Sequence, residues 1–326
     1  MSEKIPSKDR KSLNAIDLSA TFKELCKWRV STGIIAFDKA IGGGIPGSKL
    51  TELYGDFSTG KSRLALHIIA ETQKMGGVGV YIDNERSLEK GLVDLTGVSV
   101  DPNKFIYPDP DKILSIEDVF EQIQNSIDIL RERHSGYITI VWDSVAATPG
   151  MEDIEKAIGR PEASMRRAKV IGDGLRKIIA EVYTNQIALI FINQIRDKIG
   201  VMFGEKTETV GGRALKFAAS LRMHMKIHGG IKNETTREMD GYKAELVVDK
   251  NKTGRPFRKV FFEMYADQPL DPLTGLLDYL VRHGQIEDLG RRKFSVDVAG
   301  KKEEFHETEF PDVWERYSAS LKTEDE

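Results

Sequence analysis

The sequence predicts an α/β fold, a mainly parallel sheet with helices on both faces. Three observations carry this. Four short runs, Lys49–Tyr54, Gly79–Asp83, Tyr137–Asp143 and Gln186–Ile192, are nearly continuous in apolar residues, as strands buried on both faces are. Longer amphipathic segments alternate with them, which implies parallel strands joined by helical crossovers. A glycine-rich loop follows the first run and opens one of those segments. Ligands of such sheets bind beyond the carboxyl ends of the strands.

Residues 1–29 are polar and charged, with one helix-like stretch near Ala20 to Trp28, and read as an arm that makes contacts rather than as a domain. Between the second and third runs, Ile116, Val119, Phe120, Ile123, Ile127 and Leu130 recur at three- and four-residue spacing. Ser115 and Asp118 are placed to start that helix. Three later candidates, Met223–Ile227, Ala244–Val248 and Val260–Tyr265, alternate more and suit an antiparallel extension. Asp267-Gln-Pro-Leu-Asp-Pro272 is a turn-rich break. The expected division is therefore an arm at 1–29, a core at 30–270 and a small module at 271–326 with an acidic end.

The 326 residues are 40% apolar and 30% charged, which excludes collagen-like, low-complexity and wholly disordered classes. Lys+Arg 48 against Asp+Glu 51 gives a net charge of −3, so nucleic acid would be met by local basic loops rather than by overall charge. A single cysteine, Cys26, rules out an internal disulfide framework. No run approaches the roughly 18 apolar residues of a membrane span, and the amino terminus lacks the hydrophobic stretch of a secretory signal. A cytoplasmic protein is expected.

Gly55-Asp56-Phe57-Ser58-Thr59-Gly60-Lys61-Ser62 matches a phosphate-binding loop, and it lies between the strand ending at Tyr54 and a helix carrying Leu64, Ala65, Ile68 and Ile69. Its backbone N–H groups and the helix amino terminus can cradle phosphates, with Lys61 on the β- and γ-phosphates and Ser62 on a magnesium ion. Upstream, Gly42-Gly-Gly44-Ile-Pro-Gly47 has dinucleotide-loop spacing but precedes a strand, so it reads as a plain loop. Asp143 closes a strand and can hold the magnesium shell. Glu85 lies just past another strand end and can orient or deprotonate a water attacking the γ-phosphate. An acid at such a place is otherwise a helix cap. Together they point to ATP hydrolysis or an ATP-gated switch.

After the fourth strand, Gln194 can sense the γ-phosphate. Arg196 and Lys198 can contact DNA phosphates, while Ile199, Val201, Met202 and Phe203 can wedge between bases. The segment Ile190–Gly204 followed by Gly211–Phe217 closely resembles the core of the bacterial RecA recombinase family. So do Val30–Gly33, Asp143–Pro149, Lys250-Asn-Lys252 and Pro256-Phe257, in order over about residues 30 to 280. The resemblance implies a P-loop ATPase fold, ATP and Mg2+ as cofactors, and a homo-oligomeric helical filament. The filament would form on single-stranded DNA and pair it with homologous duplex. It makes Gln194 the γ-phosphate sensor, residues from about Arg196 to Thr209 the second DNA loop, and about Gly150 to Met165 the first. It puts Lys169, Arg176, Gly211, Gly212 and Arg213 near the DNA backbone, Phe217 at a subunit interface and Tyr265 near adenine. Lys250 and Lys252 would reach the neighbour's ATP, although paired lysines on a strand are by themselves a solvated face.

The sequence departs from the family at four places. Leu92 stands where the family has an aromatic residue beside adenine, the first DNA loop has different residues, and the arm matches poorly. Arg291-Arg-Lys293 in the short carboxyl module reads as a charged turn. His224 and His228, with no acidic or cysteine neighbour in sequence, read as no metal site. The expected activity is DNA-dependent ATP hydrolysis driving strand exchange in recombination and repair. The alternative is an ATP-switch accessory that binds DNA without exchanging strands. A small-molecule kinase would leave the apolar glycine-rich loop without a purpose.

Overall fold

The computed structural model describes residues 28–155, 163–197 and 207–324. In chain order the strands are β1 (Arg29–Val30), β2 (Ile45–Pro46), β3 (Lys49–Gly55), β4 (Val78–Asp83), β5 (Phe105–Ile106), β6 (Ile138–Asp143), β7 (Ile187–Asp197), β8 (Thr207–Thr209), β9 (Leu221–Lys232), β10 (Met239–Asn251), β11 (Lys259–Tyr265), β12 (Glu287–Gly290), β13 (Lys293–Val298) and β14 (Lys301–His306). The helices are α1 (Ile35–Ile41), α2 (Lys61–Lys74), α3 (Lys90–Thr96), α4 (Ile116–Arg133), α5 (Met151–Glu155), α6 (Ala163–Thr184), α7 (Gly212–Ala218), α8 (Leu276–Arg282) and α9 (Phe310–Glu324).

The main sheet runs β11-β10-β9-β3-β7-β6-β4-β5, with β8 paired to β7. β3, β7, β6, β4 and β5 are parallel, as the near-continuous apolar runs require. Both faces of these strands are buried. Leu189 and Phe191 point into one cluster with Trp142, Phe120 of α4 and Leu175 of α6, while Ile190 and Ile192 point into the other with Leu64 and Ile68 of α2. The antiparallel extension holds for β10 and β11 but not for β9, which lies parallel to β3 through Thr51↔Leu221 to Gly55↔Met225. Alternation reports a strand's two faces and carries no information on its direction.

α4 starts as its sequence dictates. The Ser115 side chain accepts from the Asp118 N–H, and the Asp118 side chain accepts in return from the Ser115 N–H. Gly42–Gly47 forms a turn and the short strand β2, with no helix behind it. The carboxyl module is a three-stranded sheet, β12-β13-β14, packed by α9. Its Val296, Phe305, Phe310 and Tyr317 share one apolar cluster with Phe262 of β11 and Leu280 of α8. Arg291 and Arg292 form the tight turn between β12 and β13, both with positive φ, and Arg292 lies 3.6 Å from Glu307. Among the described residues, no helix is long and apolar enough to cross a membrane.

Candidate active site

The topology sends the carboxyl ends of β3, β4, β6 and β7 to one edge of the sheet, which brings Gly55, Asp83, Asp143 and Gln194 together. Residues 55–62 wrap the amino terminus of α2, whose unpaired N–H groups and dipole favour an anion. Gly60 takes φ 83 there, and a Cβ on it would lie 2.5 Å from the Met264 sulfur and 2.6 Å from the Tyr242 hydroxyl. Only glycine permits that approach. Lys61 is buried and donates to the carbonyls of Asp56 (2.6 Å) and Gly55 (3.3 Å) and to Thr59 Oγ1 (3.2 Å). Burial pulls its pKa below the ordinary lysine value, against the pull of Asp143, Glu85 and Asp56.

A cavity of about 360 Å³ opens over this loop, lined by Phe57 to Arg63, Glu85, Leu92, Asp143, Gln194, Tyr242, Met264 and Tyr265, among others. Phe57 stands 72% exposed at its rim. Tyr265 donates its hydroxyl to Glu263. Arg63 donates to the carbonyls of Tyr265 and Gln268, which fixes the turn after β11 against α2. The site residues expected from 55 to 62, with Glu85, Asp143, Gln194 and Tyr265, thus meet in one place.

The polar groups of the cavity are ordered. Ser62 Oγ and the Tyr81 hydroxyl each donate to Asp143 Oδ2 at 2.5 Å, while Asp143 Oδ1 is buried with no partner among the described residues. Burial raises the Asp143 pKa to about 6. The two donated hydrogen bonds oppose that rise, and Glu85 and Asp83 add to it. Glu85 Oε1 accepts from Ser144 Oγ at 2.6 Å and from the Gln194 side-chain amide at 2.5 Å. A carboxylate held at a strand end beside a phosphate loop can deprotonate or orient a water, and Gln194 can shift between that carboxylate and another acceptor.

Tyr81, Ser144, Arg63, Tyr242 and Met264 escaped sequence reasoning. Ser144 could have been found from its place beside Asp143. Tyr242 and Met264 come from the antiparallel strands and leave no local signal.

Lys250 and Lys252 do not line the cavity. Lys250 Nζ donates to the carbonyls of Lys216 (2.6 Å) and Phe217 (3.1 Å), and Lys252 Nζ to that of Phe217 (3.4 Å). They close the carboxyl end of α7 rather than forming a purely solvated face. Phe217 beside them is 72% exposed.

α7 packs closely on α6, with a Cβ on Gly212 3.1 Å from the Ala168 methyl and one on Gly172 3.3 Å from that of Ala214. Lys169, Arg176 and Arg213 are exposed on these two helices, Arg176 paired to Asp173. Arg196 is exposed on β7 and reaches the Ala146 carbonyl at 3.5 Å. Lys198, Ile199, Val201, Met202 and Phe203 lie outside the described residues, as do the arm to residue 27 and residues 156–162.

The two histidines do have acidic companions, supplied by β10. His224 stacks on Tyr54 and lies 3.9 Å from Asp249, and His228 lies 3.2 Å from Glu245. Burial depresses His224 to about 4, so it is neutral at physiological pH. No metal-ligand cluster occurs among the described residues.

A family model described as the RecA N-terminal domain matches residues 17–270. Protein RecA of Chlamydia caviae is 36% identical over 263 residues, covering 80% of this chain and 71% of that protein. Protein RecA of Syntrophobacter fumaroxidans is 37% identical over 262 residues, with 80% and 73% covered. Protein RecA of Aquifex pyrophilus is 38% identical over 264 residues, with 80% and 72% covered.

Proposed function

The chain belongs to the RecA family, and from that footing we propose that it is a DNA-dependent ATPase and homologous recombinase. It assembles as a helical homo-oligomer on single-stranded DNA, pairs that strand with homologous duplex and promotes strand exchange. The observation that carries the reading is the Glu85 carboxylate shared by Ser144 and Gln194, because Gln194 continues directly into the β7–β8 ribbon that borders residues 198–206.

In this reading Lys61 and the backbone of residues 55–62 hold the phosphates of ATP, and Leu92, Tyr242, Met264 and Tyr265 surround the base. The residues present also fit Mg2+. Asp143 offers a buried oxygen without a partner beside the Ser62 hydroxyl, so these two would hold the ion. The ion would supply charge neutralisation on the β- and γ-phosphates. Glu85 takes the proton of the attacking water, while Ser144 keeps the carboxylate aimed. Gln194, freed from Glu85, turns its amide to the γ-phosphate, and the change at the strand end reaches the DNA-facing residues from Arg196 onward. Lys169, Arg176, Gly211, Gly212 and Arg213 line the DNA path. Lys250, Lys252 and Phe217 face the next protomer.

The test is the steady-state rate of ATP hydrolysis with and without excess single-stranded DNA at low salt, where phosphate contacts are strongest. A large stimulation is expected. Its absence in folded, ATP-binding protein would replace this reading with the ATP-switch accessory, which Leu92 and the divergent first DNA loop would then explain.

A further inference from the structure

The central strand β3 carries a charge where its apolar pattern leaves least room for one. Glu52 is fully buried, flanked by the equally buried Thr51 and Leu53. It has two partners from the strands on either side. Arg222 of β9 donates its Nε to Oε2, and Asn193 of β7 donates its side-chain amide to Oε1 at 2.9 Å. Removing either would leave a buried carboxylate under-paired, a costly state.

Asn193 makes two further bonds. Its amide also donates to the Val210 carbonyl at 2.7 Å, and its Oδ1 accepts from the Gln194 N–H at 2.9 Å. These bonds lie at the root of the ribbon, where the backbone ladder runs Ile195↔Thr209, Arg196↔Glu208 and Asp197↔Thr207. Past Ile195 the two chains part, one into the sheet and the other into Gly211 and α7. The Asn193 side chain continues the ladder across that fork. An amide supplies two donors and an acceptor in fixed geometry, and all three are used.

The pair also connects onward. The Arg222 guanidinium lies 4.5 Å from the centre of the Tyr54 ring, and the Tyr54 hydroxyl donates to Asp249, next to Lys250. Tyr54 itself precedes Gly55 of the phosphate loop.

We infer that Asn193 is a positioning residue: its side chain joins Gln194 to the far limb of the β7–β8 ribbon and anchors both on the buried Glu52–Arg222 pair, so that the two limbs respond together when Gln194 changes partner. The inference rests on the DNA-dependent ATPase reading for its functional consequence, but the clamp can be tested without it. Asn193 is buried and does not line the cavity, so it acts on turnover through Gln194.

Two experiments decide this. In the first, Asn193→Ala and Asn193→Ser are assayed for ATP hydrolysis with and without single-stranded DNA. A serine hydroxyl, with one donor, cannot serve Glu52 and Val210 at once. The DNA-stimulated kcat should fall about 10- to 100-fold, the scale of a misplaced reacting group, with KM for ATP within about twofold. A loss of fold alone would lower both rates by one factor and leave their ratio intact; that ratio staying at the wild-type value overturns the inference.

The second experiment needs no variant. Hydrogen exchange of the unmodified protein is followed on adding a non-hydrolysable ATP analogue with Mg2+. Peptides containing Gln194 and Val210 should change protection together, and a change in one without the other overturns the clamp. If the wild-type protein shows no DNA stimulation, the functional reading alone fails, and the exchange result still decides whether the two limbs respond together.

Discussion

Asp143 gives the most quantitative prediction. Its carboxylate is buried at the end of β6, and burial raises its pKa from the ordinary 3.8 to about 6. At roughly 1.4 kcal/mol per pKa unit, this shift corresponds to about 3 kcal/mol of stability that depends on pH. The folded protein holds this proton more tightly than the unfolded chain does. The contribution is therefore complete below about pH 4, where both states are protonated, and is lost as pH rises through about 6. Asn at this position cannot titrate. The stability of wild type relative to Asp143→Asn should thus fall by up to about 3 kcal/mol between pH 4 and pH 7.5, measured by urea unfolding without Mg2+. Saturating Mg2+ and ATP should stabilise wild type at pH 7.5 more than the variant, since an ionised carboxylate is a stronger Mg2+ ligand than a neutral amide oxygen. ATP hydrolysis by the variant should be lost throughout. A stability difference that stays constant across this pH range would refute the reading of Asp143 as a buried carboxylate with a raised pKa.

Variants at three other places probe other parts of the molecule. Glu85→Gln should bind ATP with near-normal affinity in a fluorescent-nucleotide titration while single-turnover hydrolysis falls about 10²- to 10⁴-fold, the usual weight of a general base; hydrolysis within tenfold of wild type would move the base elsewhere. Arg222→Met should cost about 3–5 kcal/mol in urea unfolding by stranding the Glu52 carboxylate. The double variant with Glu52→Gln should recover most of it. Replacing Met202 and Phe203 with alanine should weaken single-stranded DNA binding, read by fluorescence anisotropy, and leave nucleotide binding intact; equal loss of both would indicate misfolding instead.

The parts legible in the sequence share one property, which is that their signal is local. Phe191 and Ile192 point to opposite faces, yet the run Gln186–Ile192 has no polar face, which marks a strand covered on both sides. Ser115 and Asp118 cap α4 across three residues, and the glycines, Lys61 and Ser62 of the phosphate loop span eight. What escaped depends on distant pairing. Tyr242 and Met264 reach the cavity only because β10 and β11 fold back beside β9, nearly 200 residues after the phosphate loop. The companions of His224 and His228 come from β10 in the same way. The direction of β9 has no local signature either, because parallel and antiparallel neighbours can present the same alternation.

Glu52 shows why a buried charge in the central strand is compatible with a stable sheet. An apolar residue there would be at least as stabilising, since a buried ion pair rarely exceeds the hydrophobic packing it replaces. Its partners identify what the charge contributes instead. Arg222 on β9 lies in register with Glu52 itself, Asn193 on β7 lies in register with Tyr54 two residues further along, and the strand between them ends at the phosphate loop. Hydrogen bonds to a charged group are worth about 1.5–3 kcal/mol each, enough to hold three strands in one register where strands apolar on both faces would tolerate a slip. That register sets Gln194 opposite Gly55 and so brings the amide within reach of Glu85. The buried charge therefore acts through alignment, and its loss should appear first in the geometry at Gln194.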